Sequence, residues 1–451
     1  MLASARLSGH HRSREIPLSV VRVDVQRTGK RGHAVKLVVI GQGYVGLPVS
    51  MRAVQVGHDV VGLDLSVERV TDLRAGRSYV EDISDAEIHA ALATGRFTPS
   101  RDYADAAGFD VAVITVPTPL RDSLPDLAFI ESAATSLAAH VRTGCTVILE
   151  STTYPGTTDE LLVPLLEKGS GLTAGVDFHV GYSPERIDPG RTDWTFQTTP
   201  KVVSGLTSDC LKRVQAFYST IVDTPVPVRG TREAELTKLM ENTFRHVNIA
   251  LVNELAVFAH QLGVDVWDAI RAADTKPFGF MKFTPGPGVG GHCLPVDPSY
   301  LSWAVKKDLG QTFRFVELAN DVNENQPAHV VERVMRLLNR DRKALNGAKV
   351  ALLGLAYKRD SSDLRESPSE AVIRLLSEYG AEITAWDSWV LDRSWPEGVA
   401  RAHDAADLRG QDIVVVLTDH SDVDYAAVAA LGVPVFDTRN VVPARANVTV
   451  L

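Results

Sequence analysis

The chain has 451 residues, enough for about three domains of roughly 150 residues each. Hydrophobic residues make up 45% and charged residues 23%, a globular composition that excludes bulk disorder and fibres. The net charge of −9 argues against a protein that coats nucleic acid or anionic lipid, and no apolar stretch is long enough to span a membrane. Three widely spaced cysteines provide neither a disulfide framework nor a metal site. We therefore expect a cytoplasmic protein.

The first 33 residues are basic, with seven arginines and lysines against one glutamate and one aspartate. No apolar core or cleavage site of a secretory signal follows them. An amphipathic targeting helix is one interpretation of this segment. Pro17 and scattered glycines favour a poorly ordered extension or a misassigned start instead.

From residue 34 onward, short apolar runs rich in β-branched residues alternate with helical stretches. Such runs suit strands buried on both faces, and their alternation with helices predicts a parallel sheet. The early strands are predicted at residues 36–40, 59–63, 111–116 and 146–149. A second set is predicted at residues 349–353, 382–386, 412–417 and 434–436.

Three landmark residues follow the first three strands of each set at nearly constant separations of 303 to 323 residues. They are Gly41, Asp64 and Thr115 in the first set and Gly354, Asp387 and Thr418 in the second. The correspondence predicts two doubly wound, Rossmann-like α/β domains. One sequence leaves open whether the two arose by duplication or by convergence.

Between the two sets, residues 231–262 contain no glycine or proline, and apolar residues recur at three- and four-residue steps. This pattern predicts one long helix that ends at Gly263. Because apolar residues cover much of its circumference, we expect it to be buried and to be the spine of a homodimer. A core helix within a monomer is the alternative.

These elements predict an α/β protein with two Rossmann-like domains joined by a long central helix. The predicted boundaries are 1–33 for the basic extension and 34–229 for the first Rossmann-like domain, to which the next motif assigns a dinucleotide. The central helical domain with a cysteine loop spans 230–329, and the second Rossmann-like domain spans 330–451.

A glycine-rich turn joins the first predicted strand to a helix, with glycines at 41, 43 and 46. Such a turn lets the backbone approach a pyrophosphate at the helix N-terminus. Asp64 ends the second strand, where a carboxylate accepts hydrogen bonds from ribose hydroxyls and repels a 2′-phosphate, so NAD is favoured over NADP. Glycines that serve only a tight turn are the alternative. The cofactor-binding candidates from this region are Gly41, Gly43, Tyr44, Val45, Gly46, Asp64 and the phosphate partner Arg69.

Cys293 lies in a loop rich in glycine and proline at residues 285–298, beside His292 and four residues before Asp297. A thiolate in such a loop is a good nucleophile. Together with an NAD site it suggests a thiol that adds to an aldehyde, loses hydride and leaves a thioester for water to cleave. An inert cysteine in a structural turn is the alternative.

Three polar residues, Lys238, Asn242 and Arg245, form a stripe on the long helix. Polar groups on a buried helix need partners, and a substrate oxygen is one candidate. A salt bridge to another subunit is the other.

Several further motifs follow the glycine-rich turn in order. They are Val116-Pro117-Thr118-Pro119, Glu150-Ser151-Thr152, Tyr182-Ser183-Pro184-Glu185-Arg186, Lys238-Leu239-Met240-Glu241-Asn242, Gly290-Gly291-His292-Cys293, and Gly354-Leu355-Ala356-Tyr357-Lys358 with Asp363-Leu364-Arg365-Glu366-Ser367. With these motifs the chain, from about residue 35 to its end, resembles the UDP-sugar 6-dehydrogenase family, which oxidises a nucleotide-sugar C6 alcohol to a uronic acid with two NAD⁺. The resemblance covers roughly nine-tenths of the sequence.

The resemblance implies a nucleophile at Cys293 and, at Lys238, an ammonium that stabilises alkoxide and tetrahedral oxyanions. Asn242 would hold the same oxygen and Asp297 would hold or activate water, with Thr152 and Glu185 assisting proton transfer and thioester hydrolysis. It further implies Thr118, Thr152 and Arg365 as cofactor-binding residues. The substrate-binding candidates are Glu185, Arg186, Lys238, Asn242, Arg245, Phe283, Gly290 and Lys358.

The loops around the cysteine bear on the choice of sugar. Family members acting on UDP-glucose usually have a lysine where Val296 precedes Asp297. The stretch Lys276-Pro277-Phe278-Gly279-Phe280 instead resembles the branch acting on UDP-N-acetylhexosamines, and UDP-N-acetylglucosamine in particular. The segment Lys282-Phe283-Thr284 departs from that branch, where an aromatic residue often replaces the threonine. UDP-glucose, UDP-N-acetylmannosamine and a non-catalytic sensor of NAD or nucleotide sugars are the alternatives.

Overall fold

The computed structural model describes residues 34–121, 124–187, 193–291 and 294–451. The basic segment 1–33 and the candidate nucleophile Cys293 lie outside the described residues. The predictions about both therefore stay predictions.

The N-terminal part is built on a six-stranded parallel sheet in the order β3-β2-β1-β4-β7-β8. The order reverses between β1 and β4, the point at which doubly wound sheets bind ligands. A short hairpin (β5, β6) and a parallel pair (β9, β10) accompany it. The strands are β1 Lys36–Ile40, β2 Asp59–Leu63, β3 Phe97–Ser100, β4 Val111–Ile114, β5 Leu120–Arg121, β6 Leu124–Pro125, β7 Thr146–Leu149, β8 His179–Tyr182, β9 Lys201–Val203 and β10 Pro225–Pro227.

Helices cover both faces of this sheet, so its central strands are buried on both sides. One hydrophobic cluster packs α1, α3 and α6 on the sheet, and a second packs α4 and α5 on the other face. The helices are α1 Gly46–Gln55, α2 Val67–Arg74, α3 Asp85–Ala93, α4 Ala128–Ala138, α5 Val163–Ser170 and α6 Ser208–Ile221, with a 3₁₀ turn at Tyr103–Ala106 and a π-helical turn at Thr158–Leu162.

The central part is helical and is dominated by α7 (Thr231–Leu262), whose 32 residues span about 48 Å. The predicted long helix is confirmed, and it ends at Gly263 in a left-handed conformation. One face of α7 packs on α9 and α10. The other helices of this part are α8 Val266–Asp274, α9 Asp297–Leu309 and α10 Arg314–Arg340.

The C-terminal part repeats the first architecture, with a parallel sheet in the order β13-β12-β11-β14-β15-β16. The prediction of two Rossmann-like sheets joined by a long helix is confirmed. Its elements are β11 Lys349–Leu353, α11 Pro368–Glu378, β12 Glu382–Trp386, β13 Ala400–Arg401, β14 Ile413–Val416, α12 Tyr425–Ala430, β15 Val435–Asp437 and β16 Val448–Val450, with 3₁₀ turns at Asp392–Ser394 and Ala405–Leu408.

Three predicted strands differ slightly in their bounds. The strand predicted at 111–116 ends at Ile114, that at 412–417 is Ile413–Val416, and that at 434–436 is Val435–Asp437. The first two are shorter because their polar or loop-forming ends leave the sheet. In the described part of the chain, no helix has both the length and the apolar character needed to cross a membrane.

Candidate active site

A cavity of about 1290 Å³ lies between the two sheets. Its walls are the loops that follow β1, β2, β4, β7 and β8 on one side and β11 and β15 on the other, with α7 and the loop 281–291 between them. Carboxyl-end loops of parallel sheets are the usual ligand-binding edges. Both sheets thus turn their binding edges toward one cavity.

The glycine-rich turn forms the first wall of this cavity. A Cβ on Gly41 would lie 2.8 Å from the carbonyl oxygen of Thr115, and one on Gly46 would lie 1.8 Å from the carbonyl oxygen of Gly41. These two glycines let the turn pack under α1. A Cβ on Gly43 would meet nothing nearer than Arg69 Nη1 at 3.9 Å, and Gly43 borders the cavity. This open backbone at a helix N-terminus fits the pyrophosphate of a dinucleotide.

The Asp64 carboxylate lies at the carboxyl end of β2 and borders the cavity. It accepts hydrogen bonds from the backbone N–H groups of Gln42 and Ser66, each at 2.9 Å. Arg69, predicted as a phosphate partner, donates to the same carboxylate at 3.3 Å and lies over the ring of Tyr79. The loop therefore fixes Asp64 where a ribose hydroxyl would meet it.

Two contacts join the cofactor side of the cavity to the loop that follows β11. The guanidinium of Arg365 lies 5.3 Å from the ring centroid of Tyr44 in the glycine-rich turn, and it is held by Asp363. Glu81 accepts hydrogen bonds from the backbone N–H of Ser362 at 3.0 Å and from its hydroxyl at 2.6 Å. Arg365, which the resemblance implies as a cofactor-binding residue, thus lies beside the glycine-rich turn.

Another wall of the cavity is formed by the polar stripe of α7. Lys238 and Asn242 are buried and border the cavity, and Arg245 borders it from the rim. Asn242 Nδ2 donates to Asp297 Oδ2 at 2.5 Å, which places the aspartate behind Asn242 at the first position of α9. Burial raises the pKa of Asp297 to about 6, against the opposing effects of Lys238 and the Asn242 hydrogen bond.

The loop on either side of residues 292–293 also borders the cavity, at Gly291 and Leu294. A Cβ on Gly290 or Gly291 would lie within 2.7 Å of Tyr357 side-chain atoms. The glycines therefore serve close packing against the C-terminal part as well as exposure of backbone to a ligand. Cys293 itself lies outside the described residues.

Glu185 and Arg186 border the cavity from the loop that follows β8. Arg186 donates to Glu241 on α7 at 2.6 Å. Glu185 accepts from Lys201 Nζ at 2.9 Å, and the same ammonium lies 3.3 Å from Glu150 Oε2. The sequence did not single out Lys201, because it begins the short apolar strand β9 and belongs to none of the motifs.

The structure brings most of the predicted site residues to one cavity. Gly46 and Asp297 lie just behind its wall, and Cys293 is not described. The predicted residues that border it are Gly41, Gly43, Tyr44, Val45, Asp64, Arg69, Thr118, Thr152, Glu185, Arg186, Lys238, Asn242, Arg245, Phe283, Gly290, Lys358 and Arg365.

Two arginines that the sequence analysis missed, Arg359 and Arg439, also border the cavity. Arg439 donates to Asp419 at 3.0 Å. It follows β15 at the carboxyl edge of the second sheet, so the strand-end rule that selected Asp64 could have found it. With Lys358 and Arg365, these arginines outnumber the carboxylates Asp360 and Asp363 on the C-terminal wall of the cavity, which therefore carries a net positive charge.

Comparison with known proteins assigns a family to this architecture. The chain matches the UDP-glucose/GDP-mannose dehydrogenase family in its NAD binding domain (residues 35–222), its central domain (residues 232–325) and its UDP binding domain (residues 351–444).

Similar proteins share this organisation over most of their length. The chain is 35% identical over 390 residues to UDP-N-acetyl-D-mannosamine dehydrogenase of Pyrococcus horikoshii, covering 86% of this chain and 90% of the relative. It is 37% identical over 359 residues to UDP-N-acetyl-D-glucosamine 6-dehydrogenase of Pseudomonas aeruginosa, covering 79% and 83%. The solved UDP-D-ManNAc dehydrogenase from P. horikoshii superposes with a TM-score of 0.82 at 33% identity, covering 91% of this chain and 96% of that one.

The three matched domains span most of the chain, in the order in which the two sheets and the central helix occur. The first matched domain identifies NAD as the cofactor of the glycine-rich wall. The chain belongs to the UDP-glucose/GDP-mannose dehydrogenase family and is an NAD-dependent oxidoreductase.

Proposed function

We propose that this protein oxidises the C6 hydroxyl of UDP-N-acetylglucosamine to a carboxylate, releasing two NADH per sugar. The observation that carries the proposal is the buried cluster of Lys238 and Asn242, which border the cavity, with Asp297 bonded behind Asn242. An ammonium and an amide donor on adjacent helical turns suit an oxygen that gains negative charge during oxidation.

Bound NAD⁺ supplies the electron acceptor for both oxidations. Gly43 provides the open backbone for its pyrophosphate and Asp64 the acceptor for its ribose hydroxyls. Arg365, beside Tyr44, provides a cation on the opposite side of the cleft. We assign Thr118 and Thr152, which border the cavity between these groups and α7, to the nicotinamide end.

The groups on α7 and α9 act on the sugar oxygen. The Lys238 ammonium stabilises the alkoxide at C6, and Asn242 donates to the same oxygen. Asp297, with its pKa at about 6, exchanges a proton close to neutral pH and so holds or activates water. Their burial strengthens each interaction because little water competes.

The covalent part of the proposal rests on Cys293. Its thiolate adds to the C6 aldehyde, and the oxyanion takes up a proton to form a thiohemiacetal. Loss of the hydroxyl proton and transfer of the C6 hydride to NAD⁺ then leave a thioester. Water then bonds to C6, the C6–S bond breaks, and the sulfur recovers a proton as the thiol. Thr152 and Glu185, both at the cavity wall, assist proton transfer and hydrolysis.

The cationic C-terminal wall suits the diphosphate of the nucleotide. Lys358, Arg359 and Arg439 border the cavity after β11 and β15. Arginine binds phosphate oxygens through paired N–H donors, and lysine binds them as a compact charge. The nucleotide would therefore lie on the second sheet, with its sugar directed toward α7.

An apolar wall near α7 supports an N-acetylated sugar. Phe244 and Phe283 pack edge to face with their centroids 5.8 Å apart, and Ile249 and Met281 border the same cavity. Such a surface suits the acetamido methyl group, whereas a bare hydroxyl there would lack a partner. UDP-N-acetylmannosamine is the second candidate, since the P. horikoshii relative is named for it.

We further propose a division of labour along the chain, with residues 34–229 for NAD, 230–329 for the sugar and the nucleophile, and 330–451 for the nucleotide. The basic segment 1–33 has no role in this scheme. The family match to separate NAD binding, central and UDP binding domains supports the scheme.

We also propose a homodimer formed through α7. Its solvent-exposed face carries seven large apolar residues, a wider apolar stripe than a helix exposed to water normally has. They are Leu236, Met240, Phe244, Leu251, Leu255, Phe258 and Leu262.

The test is the stoichiometry of NADH on purified protein with UDP-N-acetylglucosamine, UDP-N-acetylmannosamine and UDP-glucose. We expect two NADH per sugar and the highest kcat/KM with UDP-N-acetylglucosamine. Cys293→Ser should fail to complete the second oxidation, while the buried control Cys210→Ser should turn over normally. Full four-electron turnover by Cys293→Ser would refute the covalent step. Binding without any NADH would support the sensor instead.

A further inference from the structure

The loop that follows β8 is hydrogen-bonded to β9 and to the residue just before β9. Ser183 Oγ donates to the carbonyl oxygen of Val202 at 2.7 Å, and Arg186 Nη1 donates to that of Pro200 at 2.7 Å. Lys201 lies between these two anchor points. The loop, which carries Glu185, is therefore fastened to β9 on both sides of Lys201.

Lys201 is a buried cation between two carboxylates, with 3% of its surface exposed. Its ammonium lies 2.9 Å from Glu185 Oε2 and 3.3 Å from Glu150 Oε2, and it is close to the rings of Phe196 and Tyr218. Glu185 and Glu150 border the cavity, whereas Lys201 lies behind them. A buried ammonium in this position acts on the cavity only through its carboxylate partners.

Both oxygens of Glu185 are engaged. Oε2 accepts from Lys201, and Oε1 accepts from the backbone N–H groups of Arg186 and Ile187, each at 2.7 Å. These donors favour the ionised carboxylate and fix its plane. Burial would raise the pKa of Glu185, but Lys201 and these hydrogen bonds outweigh it, so the pKa lies below its usual value.

The other charged groups that face this carboxylate come from three elements. Glu150, at the end of β7, has its pKa raised by burial, and its Oε1 accepts from the Tyr218 hydroxyl of α6. Lys238 on α7 adds a second positive charge toward Glu185. Arg186 is already paired with Glu241 of α7. Among these groups, Lys201 is the cation bonded directly to Glu185.

We propose that Lys201 is a positioning residue that holds Glu185 as an ionised hydrogen-bond acceptor at the cavity wall, oriented toward the water of the hydrolytic step. This inference rests on the proposed function, in which Glu185 assists hydrolysis. Lys201 touches neither substrate nor cofactor in this scheme, so its effect must pass through Glu185.

The experiment compares pH profiles of kcat for Lys201→Met, Lys201→Arg and the exposed-lysine control Lys212→Met on the full chain. In the wild-type protein, kcat should fall on the acid limb of the profile as Asp297, whose pKa is about 6, takes up one proton. Without Lys201 the pKa values of both Glu185 and Glu150 rise, so at least a second proton enters and the limb steepens and moves to higher pH. We expect kcat at neutral pH to fall roughly tenfold, with KM for NAD within about twofold.

Lys201→Arg keeps the charge and should retain a one-proton limb and most of kcat, as should Lys212→Met. A loss of kcat in Lys201→Met that is equal at every pH would show a merely structural role and overturn the proposal. Should Lys201→Met not fold, Lys201→Gln, a smaller neutral side chain, takes its place with the same expectation.

A double-mutant cycle with Glu185→Gln gives an independent readout. If Lys201 acts through Glu185, Lys201→Met should cost no further activity in the Glu185→Gln background. Additive losses would overturn the proposal. The wild-type NADH stoichiometry separates this failure from that of the proposed function, since two NADH per sugar with additive losses refutes only the role of Lys201.

Discussion

Asn242 on α7 donates its side-chain N–H to the carboxylate of Asp297 at the start of α9, over 2.5 Å. The helix N-terminus, the Asn242 amide and the Lys238 ammonium one turn earlier on α7 all favour the ionised carboxylate. Burial opposes them and raises the pKa of Asp297 to about 6. The site therefore contains a carboxyl group that changes charge close to neutral pH, at a cost in folding free energy.

That cost predicts a stabilising substitution. The unfolded pKa of an aspartate is about 3.9, so the folded protein binds the Asp297 proton more tightly, and stability falls as pH rises from about 4 to about 6. Asp297→Asn removes this penalty, on the order of 3 kcal/mol above pH 7 and roughly half of that near pH 5. We expect a higher Tm at pH 8, a smaller gain at pH 5, and a loss of kcat.

The exposed Asp308 on the same helix provides the control. Asp308→Asn should leave both Tm and kcat close to those of the wild-type protein. An Asp297→Asn variant that is less stable than the wild-type protein at pH 8 would contradict the prediction.

The carboxylate of Asp64 leads to a prediction about the preference for NAD over NADP. Its carboxylate would accept from ribose hydroxyls and repel a 2′-phosphate, while Arg69 lies 3.3 Å away. Asp64→Asn removes the repulsion and leaves the Arg69 cation without its partner. We expect kcat/KM with NAD to fall about tenfold and the NADP-to-NAD ratio of kcat/KM to rise by at least as much, as measured by initial rates.

Asp59 at the opposite end of β2 is the matched control for this change. Asp59→Asn should alter neither cofactor's kcat/KM, because its side chain is exposed and far from the glycine-rich turn. An unchanged cofactor ratio in Asp64→Asn would show that other groups select NAD.

The same landmark has a different use in the second sheet. Like Asp64, Asp387 accepts from backbone N–H groups, here those of Leu355 and Ala356, but it also contacts His420 Nε2 at 3.0 Å. Burial opposes ionisation, but these partners outweigh it and lower the pKa of Asp387 to about 2. The spacing of the strands in the sequence predicted that Asp64 and Asp387 are equivalent. It did not predict that His420, 33 residues away, bonds to the carboxylate of Asp387.

The local hydrophobic pattern of the sequence predicted the elements with long apolar runs, including β1, β2, β7 and all of α7. It missed β3 and β13, because a strand that contains Pro99 or has only two residues shows no apolar run. It also missed Lys201 and the contact between Glu81 and Ser362. Periodicity reports which face of an element is buried, not which distant loops meet, so these contacts required the structure.

The contact between Glu81 and Ser362 yields the next prediction. It joins the two parts of the chain on the cofactor side of the cavity, next to the Arg365–Tyr44 pair. Glu81→Ala removes two hydrogen bonds that hold the two parts of the chain together beside the cavity, so the cofactor side of the cavity is less firmly fixed and NAD binds less tightly. We expect KM for NAD to rise roughly fivefold with a smaller change in kcat, as measured at saturating sugar.

Ser362→Ala removes only the hydroxyl donor and should give a smaller rise in KM for NAD, because the backbone N–H of residue 362 still donates to Glu81. Glu87→Ala, which removes an exposed side chain that caps α3 and does not border the cavity, should leave KM for NAD unchanged. A KM for NAD in Glu81→Ala equal to that of the wild-type protein would mean that the contact does not influence cofactor binding.

The exposed face of α7 gives a prediction about assembly. Leu251 and Leu255 are about half exposed and lie one turn apart at the middle of its apolar stripe. Two glutamates there would place charges in the proposed interface without partners, which costs more than the interface gains from neighbouring contacts. We expect Leu251→Glu/Leu255→Glu to have the mass of a single chain by light scattering, whereas the wild-type protein has twice that mass. Leu309→Glu, an exposed leucine at the end of α9, should not change the mass. A wild-type protein with the mass of one chain would show instead that α7 is the core helix of a monomer.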